Sequence, residues 1–105
     1  MKKYKLVVFV PTTHADAVRE ALGNAGAGKI GNYSFCSFST KGTGRFLPGE
    51  GATPYIGEVG ELEQVEEERI EVTVSGDLLE AIIHAMKTAH PYEEVAYDVY
   101  KLDLI

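Results

Sequence analysis

The stretch Lys3–Pro11, "KYKLVVFVP", decides how the rest of the chain is read. It is rich in branched apolar residues and is stopped by Pro11, the pattern of a β-strand. Leu6, Val8 and Val10 fall on one face of that strand, and Val7 and Phe9 fall on the other. Both faces are apolar, so this strand is expected in the middle of a sheet that is covered on two sides. The remaining sequence has to supply its neighbours and its cover.

A helix comes next. Thr13 is placed as its N-cap, with Asp16 three residues on. Ala15, Val18, Leu22 and Ala25, joined by Ala21, make an apolar stripe at helical spacing. Gly23, Gly26 and Gly28 end it, one of them in the left-handed terminal position. "NYSFCSFST" (32–40) reads as a second strand, "KGTG" (41–44) as a turn, and "RFL" (45–47) as a short return before Pro48. Residues 49–64 carry no periodicity and read as a long loop. "RIEVTVS" (69–75) sets Ile70, Val72 and Val74 against Glu71 and Thr73, a third core strand. Gly76 turns the chain, and Asp77, with Glu80 at the matching position, caps a second helix. That helix buries Leu79, Ile82, Ile83 and Met86 beside Leu78, and stops near Ala89 ahead of Pro91. "EVAYDVYKL" (94–102) is the last strand. The order β-α-β-β-α-β is the α+β, ferredoxin-like split βαβ plan, an antiparallel sheet with two helices on one face. Two helices cover one face only. The apolar second face is therefore expected to be covered by another copy of the chain.

With 105 residues, 1–105 form a single domain. A net charge of −6 argues against nucleic acid as a partner, because binding its backbone needs a basic face. Seven glutamates lie between Glu58 and Glu71 with Arg69 as the one basic residue among them, which reads as a solvated segment. A lone cysteine, Cys36, forms no internal disulfide. The opening lysines and apolar run resemble a signal peptide, but Lys5 interrupts the run and Pro11 ends it with no cleavage site following. No segment has the length of a membrane span, and the expected location is the cytoplasm.

"GAGKIG" (26–31) matches the dinucleotide fingerprint G-x-G-x-x-G, but it follows a helix and opens a strand, the reverse of what pyrophosphate binding needs. Cys36, His84 and His90 are metal-capable and "HPYEE" adds Glu93 and Glu94, yet no CxxC or HxxxH spacing joins them, and Cys36 and His90 each have an ordinary structural reading. No nucleophile, base and orienter stand together, so no enzyme activity and no cofactor are expected. The glycine-rich stretch 28–57 remains. Backbone amides freed of side chains cradle anions, and Lys29, Lys41 and Arg45 around Gly42 and Gly44 would add charge. The alternative is that these glycines serve tight turns and the cations are solvated.

The stretch from "GAGKIGNYSFCSFSTKGTGRFLPGEGATPYIG" together with "HPYEEVAYDVYKL" resembles the YqfO-type PII-like domain of the NGG1-interacting-factor-three-like family. The likeness runs from "VVFVP" to "DVYKL", and "HPYE" is more distantly similar to the divalent-cation-tolerance (CutA) family. The resemblance implies a PII-type fold. In that family the domain is an accessory module inserted in a larger dinuclear-metal protein, whose metal-binding histidines and acids this chain lacks, so the resemblance implies a free-standing copy of the module. PII and CutA proteins are trimers, and PII proteins bind nucleotides between subunits near a glycine-containing loop. The resemblance thus implies a regulatory or ligand-binding role in a homo-oligomer, a trimer with a dimer as runner-up, and a small anionic ligand. A partner-docking module and a CutA-like metal-binding protein are the alternatives.

Overall fold

A computed structural model describes residues 2–103. Its main elements are β1 (Lys3–Pro11), α1 (Ala15–Asn24), β2 (Phe38–Phe46), β3 (Glu63–Ser75), α2 (Leu79–Ala89) and β4 (Tyr97–Leu102), with a single 3-10 turn before each helix. The four strands form one sheet in the order β2-β3-β1-β4, and every neighbouring pair is antiparallel. This is the expected split βαβ plan. Lys3 pairs with Leu102, so the first and last strands lie side by side.

Register determines which residues share a face. Leu6, Val8 and Val10 stand with Ile70, Val72 and Val74 and are sealed by Ala15, Val18 and Leu22 of α1 and Ile82 and Met86 of α2. Burying such side chains contributes about 1.5–3 kcal/mol each, and this one layer is the core. Neither helix has the expected side-chain cap. His14 precedes α1, and the Thr13 hydroxyl is bonded to the His14 Nδ1 at 2.9 Å instead. Asp77 sits inside the 3-10 turn and receives the Ser75 hydroxyl at 2.5 Å. The C-terminus of α1 does close as expected. Gly26, at φ 105°, allows Ala27 N–H to reach Leu22 O at 3.0 Å and Gly26 N–H to reach Gly23 O at 3.1 Å. That pair of bonds satisfies carbonyls the helix would otherwise leave open.

The second strand differs from the expected one. Residues 32–37 are irregular, and Phe35 takes a left-handed φ of 59° that lays its ring on the Cα of Gly23. "KGTG" is no turn: Lys41, Gly42, Thr43 and Gly44 pair with Glu68, Glu67, Glu66 and Val65 inside a continuous strand. The reversal comes later, across residues 47–62, where Gly60 N–H donates to Pro48 O at 2.9 Å.

The glutamate run is not uniformly solvated either. Consecutive residues of a strand face opposite ways. Glu68 therefore turns toward the helices, where Arg19 of α1 grips it at 2.6 Å while also bonding Asp16 at 2.6 Å and Ser39 at 3.0 Å. Asp16 and then Glu68 hold the guanidinium charged more firmly than usual. Glu67 turns the other way, onto the open face, and is buried as well. On that face Val7 is already fully buried within a single chain, between Glu71 and Asp98 across the ladders. Phe9 is half-covered, with the Arg69 guanidinium 5.7 Å above its ring. The bare apolar face expected from Val7 and Phe9 is thus narrowed to Phe38 and Tyr100, 67% and 50% exposed.

Candidate functional site

A cleft of about 740 Å³ opens on the face of the sheet away from the helices. Its floor comes from three strands: Phe9 of β1, Gly42, Gly44 and Phe46 of β2, and Glu67 and Arg69 of β3. One wall is the β2–β3 connection, notably Tyr55 and Ile56, and the other is the segment after α2, with Tyr92, Glu93 and Glu94. The volume lies within the range of small-molecule sites.

The wall after α2 is anchored by His90. Its Nε2–H donates to Phe9 O at 2.7 Å, and its Nδ1 accepts the Tyr92 N–H at 3.2 Å. Both ring nitrogens are thereby used, and the ring is neutral. Burial pushes its pKa below the ordinary value, against the opposing pull of the Phe9 bond and the Glu67 charge. Phe9 N–H donates to Ala96 O at 3.1 Å, which carries the β1–β4 pairing past the end of β4 into the same wall. Glu93 then ties the two walls together, accepting the Thr53 N–H and the Thr53 hydroxyl, both at 2.9 Å.

Tyr92 is the centre of the site. Its ring meets those of His90, Phe46 and Tyr55 at centroid distances of 5.1, 5.9 and 6.4 Å. Its hydroxyl donates to Glu67 Oε2 at 3.0 Å. Burial first, and the Glu67 carboxylate second, push the phenol well above its usual range, so it stays a donor. Gly44 leaves room for the same contact. A Cβ there would land on the Glu67 carboxylate, which lies against the Gly44 backbone.

Of the residues expected to hold an anion, Lys41, Gly42, Gly44 and Arg45 border this cleft and Lys29 does not. The ladder places Lys41 and Arg45 on the opposite side of the pleat from Gly42, Gly44 and Phe46, so they reach the cleft from its rim. The cation on the floor is Arg69, which in sequence lies within the acidic run from Glu58 to Glu71. Lys41, Arg45 and Arg69 face Glu67, Glu93 and Glu94, so charge is balanced and the lining offers both signs. Cys36, His90 and Glu93 are not brought together. Cys36 lines a separate hollow of about 250 Å³ beside α1, with Arg19 and Phe35. No three His, Cys, Asp or Glu side chains converge as a metal site among the described residues. No described helix is long and apolar enough to cross a membrane.

No family model matches the chain. It is 61% identical over 99 residues to a protein of Halalkalibacterium halodurans named GTP cyclohydrolase 1 type 2 homolog, a match covering 94% of the chain and 27% of the relative. The protein of the same name in Bacillus subtilis is 56% identical, with 94% and 26% covered. The Bacillus cereus protein related to NIF3 superposes at a TM-score of 0.86 with 59% identity, covering 98% of the chain and 26% of that protein. The chain therefore spans about a quarter of the length of the relatives it matches. Smaller proteins share the fold alone. CutA from Archaeoglobus fulgidus gives a TM-score of 0.71 at 13% identity, covering 97% of the chain and 85% of CutA. B. subtilis GlnK, solved as an ATP complex, gives 0.65 at 14%, covering 96% and 82%. By sequence and fold together, the chain matches a quarter-length segment of NIF3-related proteins, and it shares the fold of CutA and GlnK.

Proposed function

We propose that this chain is a regulatory, non-enzymatic binding module of the cytoplasm whose cleft takes a small, flat, anionic metabolite of the nucleotide class. The observation that carries this reading is the cleft itself. Aromatic rings from three segments surround a glycine-floored space, and three cations stand on its floor and rim. Aromatic faces favour a planar ligand, and the cations favour a charged one. GlnK, which shares the fold, was solved with ATP, and this supports the same ligand class here. The cyclohydrolase in the name of the longer relatives is not brought to this chain. His90, which anchors the wall after α2, has both nitrogens engaged and is not available as a base.

We further propose that the module self-associates, as a trimer with a dimer as the runner-up, through the open face that presents Phe38 and Tyr100. The test of binding is a thermal-shift titration with ATP, ADP, GTP and inorganic phosphate. A ligand at a hundred times its Kd adds roughly 2.7 kcal/mol, a rise of about 10 °C for a domain of this size. The double variant Lys41→Ala/Arg45→Ala is expected to lose at least tenfold in affinity with its circular dichroism unchanged. Melting that no nucleotide alters at millimolar concentration would overturn the reading.

A further inference from the structure

We infer that the cleft recognises its ligand through the Glu67 carboxylate, and so takes a flat heteroaromatic molecule bearing an amino group on the ring. This rests on the binding reading above and goes further, by naming the donor end of the ligand.

Glu67 is 8% exposed, yet its one hydrogen bond is the Tyr92 hydroxyl on Oε2. An ionised carboxylate offers about four acceptor positions, and no described side-chain oxygen is both buried and unpartnered, so the free Oε1 is open to solvent in the cleft. No cation of the described chain lies within ion-pairing distance. Arg69, on the same face and next but one along β3, is committed to Glu71 at 3.3 Å and to the ring of Phe9. The second oxygen, Oε1, rests on Gly44, where the missing Cβ leaves room for it at the floor of the cleft. The protein thus holds a solvent-facing acceptor in place, between a tyrosine that fixes its orientation and a glycine that seats it. A ligand that enters the cleft can supply the missing donors. Phe46, Tyr55 and Tyr92 stand around that point, so the donor is expected on a planar ring rather than on a flexible chain. Such a ligand would set its amino edge on Glu67 and its anionic end toward the rim cations Lys41 and Arg45, which accounts for the presence of both signs in the lining.

The test compares amino and oxo partners of equal charge: adenosine against inosine monophosphate, and cytidine against uridine monophosphate, by isothermal titration calorimetry. In at least one pair the amino member is expected to bind tenfold tighter or more, and Glu67→Gln is expected to shrink that preference to within threefold. Equal affinity within both pairs would overturn the inference in the unaltered protein, whether or not the variant folds. If binding is equal but falls in Lys41→Ala/Arg45→Ala, the anion reading stands and the Glu67 reading fails. If none of the four binds at millimolar concentration, both fail. Displacement of the bound nucleotide by butylamine as readily as by free adenosine would overturn the ring requirement.

Discussion

Gly28→Ala offers a direct measure of how tightly the α1–β2 connection is drawn against the sheet. Gly28 has φ 78°, a left-handed conformation that costs an L-residue about 1–2 kcal/mol. Its N–H donates to Thr73 O at 2.8 Å, and its carbonyl accepts the Cys36 N–H at 2.9 Å. A Cβ at this position would stand 2.7 Å from Cys36 N and closer still to Cys36 O. Both are backbone atoms that no rotamer change can move aside. Relief requires the two segments to part, weakening two hydrogen bonds worth roughly 0.5–1.5 kcal/mol each. The total is about 2–5 kcal/mol, a large share of the 5–15 kcal/mol typical of a domain. Gly31 is the internal control. It too is left-handed, at φ 57°, but an added Cβ would meet nothing within 4 Å. Gly31→Ala is therefore expected to cost about 1 kcal/mol. In urea unfolding followed by far-ultraviolet circular dichroism, at about 2 kcal/mol per molar, Gly28→Ala is expected to lower the midpoint by roughly 2 M. If the two variants unfold at the same midpoint, the close approach does not govern stability and the reasoning is wrong. The glycines of "GAGKIG" are thus explained by the chain's own backbone, with no dinucleotide required.

Tyr92→Phe strips the buried Glu67 of its donor and is expected to cost about 1.5–3 kcal/mol, seen as a lower Tm in calorimetry; an unchanged Tm would show that the carboxylate finds water at no penalty. Because burial lowers the His90 pKa below 6.5, the unfolded chain takes up a proton that the folded chain refuses. Stability from this group is complete above about pH 6.5 and declines as the pH falls from there toward the folded pKa, so urea midpoints measured from pH 7.5 to 5 are expected to drop less in His90→Gln than in the parent. Equal slopes would remove His90 as the cause. Phe38→Asp, on the open face, is expected to shift the sedimentation coefficient to that of a monomer while preserving the fold; a compact monomer in the unaltered protein at micromolar concentration would dispose of self-association altogether.

The elements legible in the sequence are those built by burying apolar side chains. β1, α2 and the second half of β3 show their periodicity because Leu6, Val8, Ile70, Val72, Ile82 and Met86 all point into one layer. β2 has no such signature. Its "FSTKGTGRF" is almost wholly exposed, and its pairing rests on backbone bonds to β3, which ignore side-chain pattern. The glycines there read as a turn, although Gly44 makes room for a carboxylate from the neighbouring strand. The candidate site was half visible for a related reason. Gly42, Gly44, Lys41 and Arg45 stood out by composition. Glu67 was hidden in a run of like residues and gains its meaning from Tyr92, 25 positions away. One signal was available. Glu68 shares parity with Ile70, Val72 and Val74, which places it under the helices and calls for a cation there, and it leaves Glu67 on the reverse face.

The pairing of Lys3 with Leu102 has a topological consequence. Directly opposed residues of antiparallel strands have Cα atoms only about 5 Å apart, so the polypeptide enters and leaves the fold through a single narrow gate. A unit with such a gate can be spliced into a surface turn of a larger protein without prising apart the host residues on either side. In the longer relatives the matching segment accounts for 26–27% of the polypeptide, a share that this geometry would let a host carry at the cost of one turn's width of its surface.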